Sequence, residues 1–152
     1  MANTYTQLYA HIVFSVKNRK YVILKKYKEE IQKYFCGIAK EYNSRILKIN
    51  CMPDHTHILL SFGPNHSLAE IVRALKANSS RFINEKKFVI GKFQWQEGYG
   101  AFSYSRSQVE SVSNYINNQE NHHKKKTFQE EYIELLKKFD VEYNEEYVFD
   151  LK

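Results

Sequence analysis

The fold of this chain is decided by residues 51–62, CMPDHTHILLSF, because this stretch joins a turn to a strand. Pro53 fixes its own φ and Asp54 favours a turn, so the chain is expected to reverse there. The apolar and β-branched residues that follow favour a pleated strand. With residues 46–51 before the turn, the pattern predicts an antiparallel hairpin.

The predicted strand has two different faces, because residues two apart in a strand point to the same side. His55 and His57 project together on one side, and Ile58, Leu60 and Phe62 project together on the other, into a core. Two imidazoles side by side can bind one metal ion or one phosphate. A bare His-x-His is common, so the spacing alone also allows two histidines on a half-exposed strand.

The flanking sequence predicts the order β-α-β-β-α-β. The predicted elements are a strand over residues 5–17, an amphipathic helix over 25–42, the two hairpin strands, a helix opened by Ser67, and a strand region over 93–105. This order is typical of the α+β, ferredoxin-like or RRM-like split βαβ plan. It has an antiparallel sheet with two helices on one face, and the other face stays open.

A later helix carries the residues that could use the open face. Ser107 and Glu110 have the spacing of a capping box, which predicts that a helix begins there. Tyr115 and Gln119 lie one turn apart and share a face of that helix. If the helix docks on the open face, both residues meet the histidine pair.

Composition and charge limit the class of protein. The 152 residues fit a single domain over 1–152, ending in an acidic helix and tail over 127–152. Cys36 and Cys51 are expected to be reduced, buried thiols. Without a signal peptide or a long apolar run, the protein is expected in the cytoplasm, outside membranes. Residues 1–126 hold 20 Lys and Arg against 9 Asp and Glu. This basic body favours nucleic acid as a partner, although a generic basic surface is the alternative.

Three motifs carry a resemblance to a known family. They are Met-Pro-Asp-His-Thr-His at 52–57, Trp-Gln-x-Gly-Tyr-Gly-Ala-Phe at 95–102, and Tyr-Ile-x-Asn-Gln-x-x-His-His at 115–123. The chain, to about Tyr132, resembles the HUH-superfamily single-tyrosine transposases of small peel-and-paste insertion sequences, and is similar to the REP-associated tyrosine transposases. Thr56 stands where the motif name implies a hydrophobic residue, and its side chain points away from the histidines.

The resemblance implies a metal-dependent DNA transposase acting on hairpin-bearing single-stranded DNA. His55, His57 and Gln119 would bind Mg²⁺ or Mn²⁺, and Tyr115 would attack the scissile phosphate to give a 5′-phosphotyrosine link. Asp54 would orient a histidine, or would only form the turn. The family also implies a homodimer with composite active sites, in which the tyrosine helix of one subunit serves the other in trans.

Basic side chains on two helices are the candidate DNA contacts, and a solvated helix face is the alternative for those on the helix opened by Ser67. They are Arg73, Lys76, Arg81, His122, His123 and Lys124. When bound to DNA the protein is expected at the nucleoid.

Three other functions remain open at the level of sequence. One is a domesticated HUH endonuclease of repetitive hairpin elements, and the second is a non-catalytic RRM-like binder of single-stranded nucleic acid. The third is a metal-dependent hydrolase, which would use the histidine pair without any need for Tyr115.

Overall fold

The computed structural model describes residues 3–144 and residue 148. Within these residues the strands are β1 (Leu8–Ser15), β2 (Arg45–Cys51), β3 (His55–Phe62) and β4 (Gly100–Ser103). The helices are α1 (Lys28–Glu41), α2 (Leu68–Lys86), α3 (Val109–Asn117), α4 (Gln119–His122) and α5 (Phe128–Lys138). The order of these elements agrees with the order predicted from the sequence.

The four strands form one antiparallel sheet in the order β2-β3-β1-β4. This is the ferredoxin-like strand order, so the predicted fold class is confirmed. Strands β1 and β3 lie at the centre, with Val13 opposite His57 and Ile12 opposite Ile58. The centre of the sheet is thus held by the strand that carries the histidine pair.

The main core lies between one face of the sheet and the helices α1 and α2. Ile12, Ile58 and Leu60 project from the strands and are fully buried there. Phe35 from α1 and Leu75 from α2 pack in the same cluster. Burial of such side chains is worth about 1.5–3 kcal/mol each, so this face supplies much of the stability of the fold.

The opposite face is covered by two helices that pack separately. Helix α3 packs through Val112 and Ile116 on Leu59 of β3. Helix α5 packs through Leu135 and Leu136, in a cluster that also contains Val13 of β1 and Phe102 of β4. The tyrosine helix therefore lies on the predicted face, and α5 shares that face, which the sequence analysis did not predict.

Several element boundaries differ from the sequence-based expectations. The first strand is shorter than residues 5–17, and the region 93–105 gives only the short β4. Trp95 makes an isolated bridge to Val16, and its indole donates to the Ser79 hydroxyl in the main core. The prediction of Ser107 as helix cap is wrong. Ser105 forms the capping box with Gln108, one 3-10 turn ahead of α3, because its hydroxyl reaches the backbone N–H of Gln108.

Two further predictions concern the cysteines and membranes. Cys36 and Cys51 are free thiols, but only Cys51 is buried, whereas Cys36 is partly exposed. Over the described part of the chain, every helix is too short or too polar to cross a membrane.

Candidate metal and nucleophile site

The floor of the site is a row of histidines on the two central strands. His55 and His57 project from β3 towards α3 and α5, and both are buried. His11 of β1 lies beside them, with its Nε2 2.8 Å from His57 Nδ1. Because His57 Nδ1 is occupied in this way, its Nε2 is the atom that faces the site.

Helices α3 and α4 bring Tyr115 and Gln119 over this floor. The Asn50 side chain of β2 donates to the Ile116 carbonyl at 2.8 Å, which fixes α3 on the sheet. The α-helix is interrupted at Asn118, and α4 begins at Gln119. The ring centroid of Tyr115 lies 5.9 Å from that of His57, and Gln119 Oε1 lies 3.2 Å from His55 Nε2.

Helix α5 supplies a carboxylate at the centre of the site. Glu131 Oε1 accepts from His57 Nε2 at 3.0 Å and from His123 Nε2 at 3.1 Å. Glu131 Oε2 accepts from the Tyr115 hydroxyl and from Gln119 Nε2, the latter at 2.9 Å. These groups lie between α3 with α4 on one side and α5 on the other. The seam site is therefore defined by His55, His57, Tyr115, Gln119, His123 and Glu131.

Burial and neighbouring charges set the protonation states in the seam site. Burial opposes ionisation of Glu131, but hydrogen bonds from His123, His57 and Tyr115 outweigh it and hold the pKa of Glu131 below its usual range. Burial lowers the pKa of His57 despite its bond to Glu131. Burial and the adjacent Glu131 carboxylate raise the pKa of Tyr115 above its ordinary value. The arrangement thus holds an ionised carboxylate beside a protonated phenol.

The donor set of the seam site fits a cation. Ligand atoms of His55, His57, His123 and Glu131 all lie within 4.8 Å of one another. His55 has Asp54 Oδ1 2.7 Å from its Nδ1 and Gln119 Oε1 3.2 Å from its Nε2, whereas a neutral imidazole has a single N–H for two acceptors. A cation on the Nε2 side would satisfy the remaining lone pairs, and Asp54 would then fix the orientation of the ring.

The structure brings together the residues that the sequence analysis assigned to catalysis and metal binding. His55, His57, Tyr115 and Gln119 all belong to the seam site. Asp54, expected to orient a histidine or to form the turn, contacts His55 and also lies in the turn. The roles of these residues remain predictions.

The predicted DNA contacts are spread over the molecule. Arg73 and Arg81 are exposed on α2, which covers the sheet face opposite the seam site. Lys76 of α2 is turned inward, and its Nζ donates to the Gln96 and Gly98 carbonyls at 2.7 and 2.8 Å. Lys124 is exposed just after α4. Contact of these four residues with DNA stays a prediction.

The two histidines after α4 lie closer to the chemistry than expected. His123 Nε2 is 3.0 Å from Gln119 Oε1, inside the seam site, although the sequence analysis assigned it to DNA. Its position favours a ligand role. The His122 ring lies beside Tyr115, tilted by 34° with ring centroids 4.7 Å apart.

Sequence reasoning missed two residues, His11 and Glu131. His11 is a polar residue on the same strand face as Val13 in an otherwise apolar strand, and this was the available signal. Glu131 lies on the buried stripe of α5, three residues after Phe128 and four before Leu135. A carboxylate at a core position of a helix was the signal there, because unpaired carboxylates are rarely buried.

Comparison with known protein families identifies the chain. The family described as "Transposase IS200 like" matches residues 4–119, which is more than half of the sequence. The chain belongs to this family. The resemblance to the HUH single-tyrosine transposases is thereby confirmed, and membership implies DNA cleavage and strand transfer. The match ends at Gln119, so His123 and Glu131 lie beyond it.

Curated relatives are transposases of the same kind. The ISDra2 transposase TnpA of Deinococcus radiodurans is 27% identical over 118 residues, covering 74% of this chain and 84% of the relative. The transposase for insertion sequence element IS200 of Salmonella typhimurium is 27% identical over 125 residues, covering 78% of this chain and 81% of the relative.

Solved structures share the fold. A crystal structure of a protein from Deinococcus radiodurans R1, described as a transposase, superposes with a TM-score of 0.62 at 23% identity, covering 78% of this chain and 95% of that chain. A REP-associated tyrosine transposase bound to a REP hairpin gives a TM-score of 0.61 at 12% identity, covering 81% of this chain and 73% of that chain.

Proposed function

We propose that this IS200-like transposase cleaves and rejoins single-stranded DNA at the ends of an insertion sequence through a 5′-phosphotyrosine intermediate. The observation that carries the proposal is the position of the Tyr115 hydroxyl. It shares one buried cluster with His55, His57 and Gln119, although these residues come from different elements. A strand and two separate helices thus bring a candidate nucleophile and candidate metal ligands to one place.

The residues of the chain have distinct parts in the proposed reaction. The Tyr115 oxygen attacks phosphorus, a P–O bond to tyrosine forms, and the bond to the 3′ oxygen breaks. The proton of the phenol is balanced by the proton gained at the free 3′-OH. The 5′ end stays on Tyr115, and because the link conserves the phosphodiester bond, a 3′-OH of another strand can reverse the step without ATP.

A divalent metal ion is the proposed cofactor. His55, His57 and Gln119 would hold it, and Mg²⁺ or Mn²⁺ would suit this set with positions left for phosphate and water. When bound, the ion supplies Lewis-acid polarisation of the scissile phosphate. Asp54 and His11 orient the two histidine rings through their Nδ1 atoms.

The proposed substrate is hairpin-bearing single-stranded DNA, bound by a homodimer. The REP hairpin in the related solved structure supports a hairpin ligand, and the basic composition of residues 1–126 supports a polyanion. Two subunits would hold two cleaved ends during strand exchange. In the single chain, Tyr115 lies over the histidines of its own sheet. The composite site requires α3 of the partner subunit to take that place.

Covalent trapping tests the proposed function. Protein is incubated with Mn²⁺ or Mg²⁺ and an end-labelled hairpin strand, and a protein–DNA adduct is sought on a denaturing gel. Tyr115→Phe should bind the DNA but form no adduct, because only the hydroxyl is removed. Tyr21→Phe, at an exposed tyrosine, is the matched control and should form the adduct as wild type does. Chelation of the metal should abolish the adduct in both active proteins.

The other outcomes identify the alternative functions. Cleavage without an adduct, retained in Tyr115→Phe, would show a metal-dependent hydrolase. Binding without cleavage would show an RRM-like binder. An adduct with repetitive hairpin DNA but no strand transfer would show a domesticated endonuclease.

A further inference from the structure

Glu131 contacts every other member of the seam site. Its Oε1 is 3.0, 3.1 and 3.8 Å from the Nε2 atoms of His57, His123 and His55. Its Oε2 accepts from the Tyr115 hydroxyl and the Gln119 amide. One buried carboxylate thus contacts all three imidazoles of the seam site, and it also contacts Tyr115 of α3 and Gln119 of α4.

The packing of α5 fixes this carboxylate in place. Thr127 caps the helix through a reciprocal capping box with Glu130. Phe128 stacks on the His55 ring with centroids 4.3 Å apart, and Leu135 and Leu136 pack in the apolar cluster over β1 and β4. Glu131 lies between these contacts on the same stripe, so the position of its side chain follows from the docking of the whole helix.

The ligand atoms of His55, His57, His123 and Glu131 would form a closed coordination shell, with His123 in the place proposed above for Gln119. Three imidazole nitrogens and one carboxylate oxygen are a complete tetrahedral set for Zn²⁺ or Co²⁺, and catalytic sites of this kind keep one position free for substrate. With Glu131 in place, the free position is taken by protein. The nucleophilic hydroxyl is also engaged, because it donates to the same carboxylate.

We propose that Glu131 is a fourth protein ligand of the metal and closes the seam site until DNA arrives. The scissile phosphate is also an anion, and it must reach both the cation and the Tyr115 hydroxyl. Because Glu131 would hold both of these, the phosphate must displace its carboxylate before Tyr115 can attack. The displacement step rests on the proposed function, whereas the ligand assignment stands without it. Both parts concern α5, which lies outside the residues matched by the family.

Metal binding tests the ligand assignment without DNA. Full-length wild type, Glu131→Gln and Glu134→Gln are titrated with Co²⁺, and the visible absorption of a tetrahedral complex is followed. Glu134 is the matched control, because it lies on the same helix, is exposed, and pairs with Lys126. We expect Glu131→Gln to bind Co²⁺ about tenfold or more weakly and to lose the tetrahedral absorption, with Glu134→Gln unchanged. Equal affinity and an equal spectrum in Glu131→Gln would overturn the assignment.

Cleavage kinetics test the displacement step. At saturating Mn²⁺, single-turnover adduct formation by Glu131→Gln should be several-fold faster than by wild type, because a neutral amide competes less with phosphate. An equal or slower rate would overturn the step. Circular dichroism checks the fold. If the Gln variant does not fold, Glu131→Asp replaces it, and its shortened carboxylate should give the same two changes to a smaller degree.

Failure of the proposed function has a different signature. In that case neither wild type nor Glu134→Gln forms an adduct at Tyr115, while the Co²⁺ titrations still decide whether Glu131 is a ligand. If both proteins form the adduct and Glu131→Gln is unchanged in both measurements, the function stands and the role of Glu131 is refuted.

Discussion

One face of the sheet is filled with apolar side chains under α1 and α2, whereas the opposite face leaves a row of polar groups between α3 and α5. Both faces are built from the same strands. Along β3, Ile58 and Leu60 enter the main core, and His55 and His57 enter the seam site. The same strand backbone therefore serves both faces. Its alternate residues supply apolar side chains to one face and polar side chains to the other.

The difference teaches how a small domain can bury an ionisable cluster. Burial of polar groups costs free energy unless they are paired, and the seam site contains three imidazoles, an amide, a phenol and a carboxylate. Their mutual hydrogen bonds reduce that cost. The apolar face, with Phe35 and Leu75 fully buried, stabilises the fold and so offsets the rest of the free-energy cost of burying these polar groups. Stability and chemistry can accordingly be perturbed one face at a time.

The largest expected effect is the loss of cleavage in His57→Ala. The substitution removes a proposed metal ligand and leaves the apolar face intact, so hairpin binding and the far-UV circular dichroism spectrum should be kept. The measurement is adduct formation with Mn²⁺, which should fall below detection. Adduct formation at the wild-type rate would refute the metal assignment of this histidine.

The neighbouring residue should show the reverse behaviour. Ile58→Ala removes a fully buried side chain from the main core and should lower the free energy of unfolding by about 2–5 kcal/mol. Urea unfolding followed by tryptophan fluorescence measures this change. At a temperature where the variant is folded, cleavage should stay close to wild type. A fall in the cleavage rate that exceeds the fall in the folded fraction would mean that the two faces are coupled.

A smaller effect is expected from mixing two inactive proteins. If the homodimer has composite sites, His57→Ala combined with Tyr115→Phe gives mixed dimers with one intact site, and up to about a quarter of wild-type cleavage should return. This fraction follows from random exchange, in which half of the dimers are mixed and each has one intact site of two. Absence of recovery, with subunit exchange shown by a tagged partner, would mean that each chain uses its own tyrosine.

The smallest effects are expected from single basic residues on the two sides of the molecule. Arg81→Ala on α2 and Lys124→Ala after α4 should each weaken hairpin binding a few-fold and lower the salt slope by about 1. Lys33→Ala, at an exposed residue paired with Glu29, is the control and should change neither. If only Lys124→Ala weakened binding, the result would indicate that the DNA contacts the side of the molecule that carries the seam site.

Much of the apolar face could be predicted from the sequence, because its signals are local. Alternation along β3 and the three- and four-residue steps of α1 identify the core side of each element. The hairpin at Pro53 was predictable for the same reason. Local signals were also misread where two were close together, as at Ser105 and Ser107, since either hydroxyl has a suitable spacing.

The seam site was only partly predictable, because it depends on contacts between distant residues. His55 and His57 were visible as a pair, and the resemblance added Tyr115 and Gln119. Glu131 was counted in the acidic tail, because nothing local shows that α5 docks on the sheet. Its partners His57 and Tyr115 are 74 and 16 residues away. The only sequence signal of such long-range hydrogen bonds is a polar residue at a helix position where the pattern predicts an apolar one, and this signal is weak.

The alternation along β3 also constrains how the sequence can evolve. Inserting or deleting one residue at the Pro53 turn would shift the strand by one position, exchanging the sides of all its side chains. Thr56 and Ile58 would then enter the seam site, and His55 and His57 would enter the core. Such a lineage would lose the histidine pair of the seam site and the main-core packing of β3 in one mutational event. Length variation at this turn should therefore be purged more strictly than amino-acid replacement.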